Sequence, residues 1–148
     1  MVKRKRMPKE VSVLLSELES SATFIRRSAI IELVEKGAPE AVSRFELLLK
    51  DREAAIRACA AWALGELGAE GAVPALIACM KDMDVDVRRA AAQSLANMAN
   101  PLSIEMLELA AVDSDRWVAE WARRGLARMS RTPPRRRRLK PAEVLPGN

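Results

Sequence analysis

The sequence contains no histidine and no tyrosine. Histidine is the commonest acid–base group near neutral pH and the commonest metal ligand, so its absence removes the usual route to hydrolytic chemistry and to zinc. Glycine-rich phosphate loops and the Gly-x-Ser-x-Gly elbow are also missing. Cysteine occurs only at Cys59 and Cys79, too few for a disulfide framework or a thiolate metal site, and both read as inert, partly buried thiols. Aromatic residues make up 3% of the chain, with Phe24 and Phe45 the only phenylalanines. No apolar run approaches the roughly 18 residues that cross a bilayer. The basic start, MVKRKRMPKE, has no apolar segment behind it and does not read as a secretory signal. These absences lead us to expect a cytoplasmic protein that is not an enzyme, needs no cofactor or metal and does not enter a membrane.

What is present is a repeat. The segment DREAAIRACAAWALGELG, starting at Asp51, returns 31 residues later as DMDVDVRRAAAQSLANMA and again as DSDRWVAEWARRGLARMS, and is preceded by SSATFIRRSAIIELVEKG. Ile25, Ile56, Val87 and Val118 share one column, and Leu33, Leu64, Leu95 and Leu126 another. The half-units before them repeat in the same register: Val11, Val42, Val73 and Ile104 align, as do Leu14, Phe45, Leu76 and Leu107. Spacings of i, i+3, i+7 put each apolar set on one helical face. The expected units are therefore four helix pairs, 7–37, 38–68, 69–99 and 100–130. No pair can bury its stripe alone, so neighbours must stack.

The pattern V-R-x-A-A-x-x-x-L after an aspartate, preceded in the third unit by A-V-P-x-L-I-x-x-M-K-D, resembles the HEAT repeat, and the 31-residue period resembles its short form, the PBS lyase HEAT-like repeat. The resemblance covers residues 7–130. It implies an all-α fold, a right-handed α-α superhelix or armadillo-like solenoid, with the first helix of each pair on the convex side and the second lining the concave side. It also implies an aspartate–arginine ladder, which maps onto Asp51 with Arg57 and Asp82 with Arg88. At the ends the pattern departs from the family, where Ser20 precedes Arg26 and Ala119 follows Asp113. The family's proline within the first helix is matched only by Pro74.

Charge is unevenly spread. Residues 1–6 carry +4 and residues 131–148 carry +5, leaving −4 on residues 7–130. The ends read as a basic N-terminal arm and a basic, proline-rich, disordered tail. In the tail Arg131, Arg135, Arg136, Arg137, Arg138 and Lys140 are candidates to meet a polyanion. Acids between paired helices (Asp51, Asp82, Asp113, then Glu53, Asp84, Asp115) read as caps rather than as a metal site.

Taking Ile56, Ala60, Ala63, Leu64 and Leu67 as the core face puts Ala58, Ala61, Trp62 and Gly65 opposite. The same columns hold Arg27, Ile30, Ile31 and Val34, then Arg89, Ala92, Gln93 and Ala96, and finally Glu120, Arg123, Arg124 and Ala127. On the family geometry this is the concave surface, where Ile31, Trp62, Gln93 and Arg124 form a row flanked by Arg27 and Arg89. Trp62 reads either as a shield over Ile31 or as a binding anchor. We also place Trp117 on the partner-binding side and read Trp121 as a lid over the C-terminal end. The expected function is a protein–protein interaction scaffold or adaptor. The alternatives are a nucleic-acid-associated protein using its basic arms and concave Arg and Trp and, from the family name alone, a bilin lyase-like accessory protein.

Overall fold

Each long helix begins at a turn that the sequence writes out. The computed structural model describes residues 9–131, and the first aspartate of each inter-helix turn folds back on its own backbone: Asp51 Oδ1 accepts from the Glu53 amide, Asp82 Oδ1 from Asp84 and Asp113 Oδ1 from Asp115, at 2.8–2.9 Å. The second acid then caps the helix in the later repeats. Asp84 accepts from the amides of Asp86 and Val87, and Asp115 from those of Trp117 and Val118. These bonds satisfy amides that the first helical turn cannot.

Eight α-helices and no strand form among the described residues. Short first helices, α1 (Val11–Glu17), α3 (Val42–Leu48), α5 (Val73–Cys79) and α7 (Ile104–Ala110), alternate with longer second helices, α2 (Thr23–Glu35), α4 (Ala54–Glu66), α6 (Val85–Met98) and α8 (Arg116–Arg131). Single 3-10 turns, two of them opening on Pro39 and Pro101, lead into α3, α5 and α7. Pro74 sits in the first turn of α5, where the missing N–H costs nothing. Gly37 and Gly68 end α2 and α4 at φ near +60°. Ala99 takes the same left-handed turn after α6 at φ 51°, at a cost of about 1 kcal/mol that glycine avoids. Among the described residues no helix is long and apolar enough to cross a membrane.

The second helices form one layer. α2, α4, α6 and α8 pack broadly in sequence, whereas adjacent first helices touch little or not at all. The more tightly spaced layer lies on the inside of the curve, so α2, α4, α6 and α8 line the concave side. Between the layers runs a continuous core of Leu14, Leu33, Phe45, Ile56, Leu64, Leu76, Val87, Leu95, Leu107 and Val118, all fully buried.

Helical phase departs from expectation in one column and at one position of another. Ile30, Ala61 and Ala92 were placed on the open face but are buried, with Ala96 nearly so. Each of α2, α4 and α6 has the following second helix against one flank as well as a first helix beneath it, and this column faces that following helix. Contact between α4 and α6 is close enough for Ser94 Oγ to donate to the Ala61 carbonyl at 2.9 Å. Arg131, assigned to the tail, is the last residue of α8. The remaining basic positions, Lys3 to Arg6, Arg135 to Arg138 and Lys140, lie outside the described residues, as does Pro8.

Candidate functional site

Arginines at the start of each second helix tie neighbouring repeats together, and this frame positions the concave surface. Arg57 Nη1 donates to the carbonyl of Asp51 in its own repeat, while Nε and Nη2 fork onto the carboxylate of Asp82 in the next repeat at 2.8 and 2.9 Å. Arg88 repeats the pattern, donating to the Asp82 carbonyl and pairing with Asp113 at 3.9 Å. Arg26 donates to the Ser20 carbonyl and reaches both Asp51 and Glu53 at 3.3 Å. The expected ladder thus pairs each arginine with the aspartate carboxylate of the following repeat, and with its own only through the backbone. The departures at Ser20 and Ala119 leave it intact: Arg26 needs only the Ser20 carbonyl, and Asp113 receives Arg88.

Arg89 was expected on the open concave face, but its guanidinium is engaged. Nε and Nη2 fork onto Asp115 at 3.0 and 2.6 Å, and Nη1 reaches Asp86 at 3.1 Å. Both ends of that bond feel it. The Arg89 hydrogen bonds hold the Asp115 carboxyl well below the usual carboxylate range, and Asp115 raises Arg89. In the same way Arg57 lowers Asp82. A hydrogen bond from Thr23, seconded by the Arg26 charge, lowers Glu53.

A pH dependence follows with a definite sign. Carboxylates whose folded pKa lies below the ordinary value of about 4 stabilise the fold fully above that value and lose the contribution as pH falls through their folded values. The melting temperature should therefore be nearly flat from neutral pH to about pH 5 as far as these groups decide it, and fall below about pH 4. Asp82→Asn should melt lower near neutrality and show a shallower acid fall in thermal scans followed by circular dichroism. An unchanged acid slope would remove Asp82 from this role.

Within that frame one concave groove stands open, with a volume of about 510 Å³, lined by Arg27, Ile31, Ala55, Ala58, Cys59, Trp62 and Asp86. Its floor is apolar because α4 offers three small side chains, Ala55, Ala58 and Cys59, beside the half-buried indole of Trp62. Ile31 of α2 forms one wall, 36% exposed. Arg27 and Asp86 supply opposite charges at the rim. Burial raises the Cys59 thiol above its ordinary range, only partly offset by Arg27, which suits a packing group rather than a nucleophile.

Of the expected row, the structure brings Arg27, Ile31 and Trp62 into this groove. Gln93, Trp117 and Arg124 do not line it. Ala55, Cys59 and Asp86 were missed as lining residues. Asp86 occupies the column of Phe24 and Ala55, one turn before Arg89, and reaches the groove only because α6 lies alongside α4. Trp121 stands in the Cys59 column, and Cys59 faces back towards Arg27 of the preceding repeat. That register turns Trp121 towards α6 rather than towards a following repeat, so it is not the end lid expected. It is partly buried against the core, with the Arg124 guanidinium 5.3 Å from its ring centroid.

The HEAT-repeat profile matches residues 11–90 and, overlapping, 44–127. This chain belongs to the HEAT repeat family. Solved structures of HEAT-like proteins share its fold. An engineered protein aligns over 81% of this chain at 22% identity and a TM-score of 0.65. The complex of CpcE and CpcF of phycocyanin lyase from Nostoc sp. PCC7120 aligns over 90% at 21% identity and 0.64. Human deoxyhypusine hydroxylase in complex with glycerol aligns over 82% at 30% identity and 0.69. The chain spans 62%, 70% and 43% of those three chains, respectively. No curated protein matches the sequence. At 21–22% identity the first two likenesses are of fold alone.

Proposed function

We propose that this HEAT-repeat protein is a non-catalytic scaffold or adaptor that receives a segment of another protein in the concave groove around Trp62. HEAT repeats generally mediate protein interactions. One observation carries the finer reading: the groove combines an apolar floor with rim charges of opposite sign, Arg27 and Asp86. An extended or helical peptide offers an apolar side chain for such a floor and polar backbone or charged neighbours for both rims. Tryptophan is among the residues most enriched as interface anchors. The absence of histidine and the raised Cys59 thiol favour recognition over catalysis.

The test is Trp62→Ala, made alone and with Arg27→Ala, in full-length protein. Partners captured by the wild type should bind roughly thirtyfold more weakly to Trp62→Ala, the loss typical of an anchor residue. The melting temperature should stay within a few degrees. Unchanged capture by the folded double variant would reject the groove as the site. Loss of the fold in Trp62→Ala would make the indole a core element and reject the reading equally.

A further inference from the structure

We infer that the solvent face of α8 is a docking surface for single-stranded nucleic acid, separate from the groove around Trp62. Residues 9–115 carry eleven basic and eighteen acidic side chains, a net of −7, whereas α8 carries five arginines and only Glu120. At 100° per residue, Arg116, Arg123, Arg124, Arg128 and Arg131 fall on one side of the helix together with Trp117. Val118, Ala119, Ala122 and Gly125 occupy the other side and are buried. Gly125 seats the helix: a Cβ there would lie 2.9 Å from Ala96 Cα. The arginines are thereby held outward along about 24 Å of helix.

Arg123 stands in the column that holds buried Ile30, Ala61 and Ala92 in the other repeats, yet its side chain is 60% exposed. Glu120 is already engaged by Arg124 at 2.8 Å and approached by Arg123 at 4.0 Å, so it adds little repulsion. Trp117 is 55% exposed, with the Arg116 guanidinium 6.0 Å from its ring centroid. An exposed aromatic among arginines offers a stacking platform beside phosphate-binding charges, the combination that single strands use. An acidic protein would use the charges but leave the indole without a planar partner. The net −7 of residues 9–115 disfavours a polyanion on the rest of the described chain as a whole.

The test uses full-length protein and a labelled oligothymidylate, read by anisotropy at several salt concentrations. Wild type should bind at low salt and lose affinity steeply as salt rises. Replacing Arg116, Arg123 and Arg131 together by Gln should flatten the slope of log affinity against log salt by about 2, since each phosphate contact to a single strand contributes about 0.7. The same three positions as Lys should restore the slope, which separates charge from any change in folding. Trp117→Leu should weaken binding roughly tenfold and leave the slope unchanged. Three results would overturn the inference: a triple-Gln slope equal to wild type, affinity indifferent to Trp117→Leu, or no oligonucleotide binding at low salt with a dimer instead. The last would assign the basic face to the acidic body of a second copy.

Discussion

Leu95→Ala should cost the fold about 2–5 kcal/mol, the range for deleting a buried leucine whose site cannot collapse. Leu95 is fully buried in α6, and α6 packs against α4, α5, α7 and α8. Few side chains stand behind so many interfaces, and none of the neighbours can close the gap without pulling away from its own repeat. In a solenoid each repeat touches only the next, so a weakened α6 separates the first two repeats from the last. Against a total stability of about 5–15 kcal/mol for a typical domain, the loss is large. Urea denaturation should show a lower midpoint in Leu95→Ala and, for the same reason, in Leu64→Ala. Ala58→Ser, which adds one hydroxyl at the groove, should be nearly neutral. Equal losses for Leu95→Ala and Ala58→Ser would contradict the assignment of faces.

Gly65→Ala should also destabilise, although alanine is the better helix former by about 1 kcal/mol. A Cβ on Gly65 would lie 2.2 Å from Ser94 Oγ, 2.5 Å from Ser94 Cβ and 2.9 Å from Ser94 Cα. The hydroxyl could turn aside only by giving up its bond to the Ala61 carbonyl, and the Cα belongs to the α6 backbone, which cannot. α4 and α6 must then separate along their length. We expect a net loss of about 1–3 kcal/mol, as for other overpacked cores. Ser94→Gly introduced beside Gly65→Ala should recover part of it, a coupling that a double-mutant cycle would measure. Gly71→Ala, where nothing lies within 4 Å of the added carbon, should be close to neutral. A more stable Gly65→Ala would mean that helix propensity outweighs the close approach of α4 and α6.

These two positions mark the boundary between what sequence and structure each decide. The 31-residue register, the helix pairs and the core columns of Leu64 and Leu95 follow from the primary sequence. Apolar periodicity reports which face of a helix must leave water, and four units in phase repeat that report. The turns were legible for a local reason: Asp51, Asp82 and Asp113 bond to amides two residues away. On the concave strip, Arg27, Ile31 and Trp62 could be placed together because Ile31 and Trp62 share one column and Arg27 lies one helical turn before Ile31 on the same face.

What only the tertiary structure decided lies between repeats. Periodicity within a helix does not say how many neighbours flank it, so burial of Ile30, Ala61 and Ala92 was hidden until α2, α4 and α6 were seen side by side. Nor does it say which repeat an arginine reaches. Arg57 bonds to an aspartate 25 residues on, and Arg89 to one 26 residues on, distances set by the offset between stacked helices. The same offset carries Asp86 to the rim of the α4 groove and turns Trp121 towards α6. Local sequence encodes which side chains seek partners; the spacing of one repeat on the next determines which partners they find.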